Sequence, residues 1–155
     1  MTKVVLGLVL SLSMIAFVWY LKLPPEECKI LYGTWRSDKD STLSYTRKND
    51  ELKPEAESYQ EQVLGNLTVT YKSDHFIEHE IPEFEITVNK KTHHWGREQS
   101  IVPYELVSCG SKSVKIKYEI LGETEFVKLV FENNDLHWSG SPISGFKEYF
   151  SRVSE

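Results

Sequence analysis

Val114-Lys115-Ile116-Lys117-Tyr118-Glu119-Ile120 puts apolar side chains on one face and charged ones on the other, with a period of two. That is the rhythm of a half-buried strand, because successive strand side chains point to opposite faces. Forward from it, Gly122-Glu123 reads as a turn into 124–132, where Phe126 and Val130 oppose Val127, Leu129 and Phe131. Asn133-Asn134-Asp135 is a hairpin turn signal. Leu136 and Trp138 open a short strand, Gly140 to Gly145 is a loop, and 146–153 is the last strand.

Backward from it, the same period runs to Gly65. Leu67, Val69 and Tyr71 alternate with Thr68, Thr70 and Lys72, and Ser73-Asp74 turns the chain into 75–81. Pro82 ends that strand, and Phe84, Ile86 and Val88 alternate with Glu85 and Thr87. Residues 99–108 read as a strand interrupted by Pro103, which predicts an edge or a bulge there. Tyr32 to Ser37 is the first strand. A helical insertion over 38–63 follows, capped by Asp38 or Ser41, with Pro54 in the first turn of its second helix. The count is eight or nine short strands, and nearly every link is hairpin-sized. A mainly β fold is therefore expected, as an antiparallel up-and-down barrel, since closing a meander leaves no exposed edge.

The first 23 residues differ in kind. Val4 to Leu21 carries no charge. As a helix it would span about 27 Å, close to the hydrocarbon thickness of a bilayer. Trp19 and Tyr20 lie where interfacial aromatics belong, and Pro24-Pro25 would stop a helix. Residues 1–23 are read as a transmembrane anchor, or alternatively as a signal segment with Ser11 and Ser13 as the small residues before a cut that leaves Met14 first, giving a secreted protein. Either exports the domain, to the periplasm if the host is bacterial. Residues 24–31 read as a linker and 32–155 as the barrel domain. Cys28 follows Pro25-Glu26-Glu27, which is wrong for a lipidation signal, so Cys28 and Cys109 are candidates for a disulfide. Closing a loop of roughly 80 residues would contribute about 4 kcal/mol by chain entropy.

The chain carries a net charge of −5, and Lys3 and Lys22 are its only charges before residue 24, so the remainder is more acidic still. With no basic cluster, a nucleic-acid partner is not expected.

Gly33-Thr34-Trp35 on the first strand, a meander, and Arg152 near the end of the last strand together resemble the lipocalin (calycin) pattern. The opening Gly33-Thr34-Trp35-Arg36-Ser37-Asp38-Lys39 and the closing 145–152 also resemble a group of uncharacterised bacterial lipocalin-like domains. The Thr-Asp-x-Tyr motif of many lipocalins is absent, and the insertion at 38–63 is similar to the helix pair of fatty-acid-binding proteins. The resemblance implies that Trp35 crosses the closed end of the barrel under the Arg152 guanidinium. It also implies a cavity for a small, often apolar ligand.

Tyr71, Tyr104, Tyr118, Phe126 and Trp138 are the aromatic candidates to line such a cavity, or else simply fill the core. His75 and His79 would lie roughly 13 Å apart on a strand, too far to share a metal. His93-His94-Trp95-Gly96 is read as falling between strands, where adjacent histidines offer a second metal candidate or an exposed turn. Glu78, Glu80, Glu83 and Glu85 read as a solvated face. Asn66-Leu67-Thr68 is a glycosylation sequon. No nucleophile elbow, phosphate loop or Cys-x-x-Cys occurs, so no enzyme, cofactor or metal is expected. The expected function is binding of a small apolar ligand at the membrane outside the cytoplasm. The alternative is a structural or assembly module that works through its outer surface.

Overall fold

The alternation that opens the sequence does close the backbone on itself. The computed structural model describes residues 26–49, 54–120, 122–140 and 147–153. A 3-10 helix, Glu26–Leu31, leads into β1 (Gly33–Ser37), followed by α1 (Lys39–Asn49) and α2 (Pro54–Val63). Then come β2 (Thr68–Tyr71), β3 (Phe76–Ile81), β4 (Phe84–Val88), β5 (Lys91–Trp95) and β6 (Glu98–Gly110). The chain ends with β7 (Ser113–Ile120), β8 (Glu123–Asn133), β9 (Leu136–Gly140) and β10 (Lys147–Arg152). Eight strands form a closed antiparallel barrel in the order β1-β10-β9-β8-β7-β6-β3-β2. The remaining two, β4 and β5, form a separate hairpin. The run Val4 to Leu21 lies outside the described residues, and no described helix is long and apolar enough to cross a membrane.

Three sequence expectations are corrected here. The barrel has eight strands, within the eight or nine expected, but the described residues hold ten strands in all, because Lys91–Trp95 is a strand and not a loop. All five of its residues are exposed, so nothing imposes an apolar period on it. Its signal is the turn before it, where Asn89 and Lys90 both take positive φ, at 52° and 64°. Two successive left-handed residues give the turn whose twist matches a tight hairpin. Second, β6 runs unbroken through Pro103, and its bulge falls between Leu106 and Ser108. Pro103 is tolerated because it stands at a changeover. β6 pairs with β3 as far as Pro103 and with β7 from Tyr104 onwards. Third, residues 26–31 are not a bare linker. Cys28 and Leu31 are fully buried beneath the barrel, and Cys28 is disulfide-bonded to Cys109 on β6, with Cα atoms 5.4 Å apart.

The closed end is packed solid. Trp35 is fully buried, and its indole N–H donates to the Leu31 carbonyl at 2.9 Å. The Arg152 guanidinium lies 4.1 Å over the indole ring. It also donates to the carbonyls of Ile30, Tyr32 and Asn134. One planar cation thus stacks on the ring and satisfies backbone acceptors of the short helix, of the residue after it and of the β8–β9 turn. Gly33 is required here twice over. Its φ is +121°, and a Cβ would come within 2.8 Å of Arg152 Nη1.

His137 completes this end, stacked on Phe150 and edge-on to Trp35 at 4.3 Å. Its Nδ1 has no hydrogen-bond partner among the described residues. Burial, and then the Arg152 charge, push its pKa down to about 3. The unfolded chain takes up this proton near pH 6.5, so the stabilisation is complete above 6.5 and is lost as pH falls towards 3. Between pH 7 and 4.5 the loss should be about 2 to 3 kcal/mol. Urea midpoints measured across that range should fall, and His137→Phe should flatten the decline. An equally steep decline in the variant would refute the assignment.

At the other end of the barrel, α1 takes over where β1 stops. Asp38 caps it, with Oδ1 accepting from the Ser41 N–H at 2.9 Å. Asp38 N–H donates to Tyr149 O, and Tyr149 N–H donates to the Thr42 hydroxyl oxygen, so β10 keeps both bonds past the end of β1. Arg47 ties α1 to α2 through Glu57 and Glu61.

Candidate functional site

Strand parity decides what the open end contains. Arg152 points inwards to Trp35, so Phe150 and Glu148 on the same strand point inwards too. Phe150 is buried in the core, and Glu148 lies one step nearer the mouth. Across the rim, Ile81 ends β3 and Leu67 leads into β2.

The mouth is roofed by α2 and the β4–β5 hairpin, which are tied to each other. The Gln62 side-chain amide donates to Thr87 O and accepts from Thr87 N–H, so it pairs with β4 as a neighbouring strand would. Phe84 and Trp95 stack across the hairpin, 5.9 Å apart. Between roof and rim lies a cavity of about 540 Å³. The roof contributes Tyr59, Gln60 and Val63 from α2 and Leu64 just after it, with Phe84 and Trp95 from the hairpin. Leu67, Ile81 and Glu148 line the barrel side. A second cavity of about 560 Å³ shares Leu67 and Ile81, and is lined further by His79, Ser100, Tyr118 and Ile120. Both volumes lie in the range that takes a small organic molecule.

Among the described residues Glu148 is the only acid on the wall of the first cavity. The Ser37 hydroxyl donates to its Oε1 at 2.7 Å and itself accepts from the Gly65 N–H at 3.1 Å. Gly65, at φ +90°, turns the chain out of α2 to make this contact possible. Burial pushes the Glu148 carboxyl above its ordinary value, and the Ser37 hydrogen bond partly offsets that.

The aromatic candidates from the sequence are dispersed. Tyr71 and Tyr104 point inwards but are buried in the packed core, edge-on to each other. The Tyr104 hydroxyl donates to Lys72 O. Tyr118 does line the second cavity. Phe126 and Trp138 lie on the outer wall. Phe126 has the parity of Val130, opposite to the buried Leu129 and Phe131, and is 50% exposed beneath the Lys115 ammonium. Trp138 sits beside the inward His137 and faces outwards, where Lys147 lies 4.1 Å over its ring.

The histidines do not converge. His75 is an exposed turn residue with φ 69°, whereas His79 faces the second cavity with Nδ1 3.4 Å from Ser100 Oγ. Burial lowers the His79 pKa. His94 pairs with Glu85 on the exposed hairpin. No group of three or more His, Cys, Asp or Glu side chains converges among the described residues. In the acidic run, Glu78 pairs with Lys72 and Glu80 with Arg97. The Asn66 side-chain amide is engaged, donating to Gln62 O and Val63 O at the end of α2.

No protein-family model matches the chain, and no curated protein matches it either. The reading of the site therefore rests on its geometry.

The cavity residues that sequence reasoning missed are those of α2, the hairpin, and Glu148. For Glu148 a signal existed: if Arg152 faces Trp35, the residue four positions earlier must face inwards. For Tyr59, Val63 and Trp95 there was none, because the roof is set by tertiary packing and not by period.

Proposed function

We propose that this chain is an exported, lipocalin-like barrel that binds a small apolar molecule at its mouth, without catalysis. The observation that carries the reading is the cavity of about 540 Å³ roofed by α2 and the β4–β5 hairpin. Its walls are mainly aliphatic and aromatic, with few polar groups, the usual make-up of a small-molecule site. The meeting of Trp35 and Arg152 at the opposite end supports the lipocalin-like assignment. The Cys28–Cys109 disulfide supports an oxidising compartment outside the cytoplasm. Val4 to Leu21 is read as its membrane anchor.

Native mass spectrometry of the purified full chain should show a bound molecule, and Val63→Trp, which fills the cavity from α2, should lower its occupancy at least tenfold. A chain that carries no adduct and takes up no apolar probe would overturn the reading. A second reading, an assembly module acting through the barrel wall, is favoured by the exposure of Ile101 (59%) and Phe126 (50%) on that wall. It predicts that Val63→Trp leaves crosslinking to a membrane partner unchanged.

A further inference from the structure

The polar groups around the first cavity are unequal in kind. Glu148 and Gln60 present acceptor oxygens, and Gln60 Oε1 has no donor among the described residues. Of the donors nearby two are already spent, and those of Tyr59, Trp95 and the Gln60 amide are neutral. The Asn66 amide is bound to two α2 carbonyls, and the Ser37 hydroxyl proton is committed to Glu148. The Ser37 proton is held there because Gly65 N–H occupies the oxygen from the other side.

Charge points the same way. No Lys or Arg lines the first cavity among the described residues. Arg97 borders the second, but its guanidinium is bound to Glu80 at 2.6 Å. Lys117 is bound to Glu105, and Lys147 is stacked between Tyr45 and Trp138. Strand parity turns Glu98, Glu123 and Glu125 towards the mouth, opposite the inward Ile81, Ile120 and Tyr118. A carboxylate ligand entering here would meet like charge and no cation, whereas a cation would find a half-formed pair.

We propose that the ligand of this cavity carries a protonated amine on an apolar body, and that Glu148 is its counter-ion. The proposal rests on the binding reading above and names its ligand class. Ser37 holds one carboxylate oxygen, which leaves the other to accept the ammonium N–H. Burial of Glu148 in this apolar cavity favours its neutral form, and an ammonium brought alongside restores the ionised one. The aliphatic and aromatic roof encloses the rest of the ligand.

Three compact cages of matched shape separate the possibilities: adamantylamine, adamantanol and adamantanecarboxylate, each titrated calorimetrically into the full chain. The amine should bind at least tenfold more tightly than the alcohol, and the carboxylate more weakly than either. Glu148→Gln keeps the shape and removes the charge. It should erase the preference for the amine, bringing amine and alcohol to within about twofold of each other. Equal binding of amine and alcohol, or an amine preference that survives in Glu148→Gln, overturns the proposal while the cavity reading stands. Binding of none of the three overturns the cavity reading itself, and the amine assignment with it.

Discussion

Trp35→Ala is expected to lower the unfolding free energy by about 3 to 5 kcal/mol, the range for removing a fully buried large aromatic side chain. In a domain of ordinary stability that is roughly a fifth or more of the total. The effect should reach this size because the indole has several roles at once. It fills the closed end against Phe131 and His137, donates to Leu31 O, and provides the face on which Arg152 lies. Its removal leaves the guanidinium facing a void. Trp35→Phe keeps most of the volume and should cost well under half as much. Urea unfolding with the disulfide intact measures both, and similar midpoints for wild type and Trp35→Ala would refute this account of the barrel's base.

Loss of the Cys28–Cys109 bond should cost nearly as much. The bridge spans 81 residues, for which chain entropy gives about 4 to 5 kcal/mol, within the 2 to 5 kcal/mol typical of native bridges. Cys28→Ala/Cys109→Ala avoids leaving buried hydroxyls. Its consequence should also be local, because the bridge holds the short helix that presents Leu31 to Trp35 and the Ile30 carbonyl to Arg152. The double alanine variant combined with Trp35→Ala should therefore cost less than the separate losses combined, since both act on one contact set. Strict additivity would show that the bridge acts only on the unfolded chain. An unchanged midpoint in the cysteine variant would show that it contributes nothing.

Much of the barrel could be read from residue order, and the reasons are specific. Val114 to Ile120 and its neighbours on β8 keep a strict period because one face is buried and the other wet. Asp38 announces α1 by its capping chemistry, and Trp35 and Arg152 announce the closed end by shape and charge. The roof could not be read in this way. β5 is exposed along its whole length, so it carries no apolar rhythm, and its partner Phe84 was legible only as an isolated strand. Pro103 misled because proline marks an edge in most sheets. Here the strand changes partner at that residue. Phe126 and Trp138 are aromatic yet face outwards, because strand parity gives the inner face to Val127, Leu129 and His137. Glu148 was legible by parity alone, but a single acid between Lys147 and Tyr149 resembles surface until the strand's facing is known.

The disulfide also gives the molecule a direction. It fastens the lead-in helix beneath the plugged floor, while the roofed cavity lies at the far pole of the tube. The chain at Glu26 therefore lies at the pole opposite the roofed cavity. On the proposed reading of Val4 to Leu21 as a tether, the base of the barrel would be the pole nearer the lipid and the roofed cavity the pole farther from it. A ligand would then be exchanged with the surrounding fluid, or with whatever docks from above, and not drawn straight out of the membrane below.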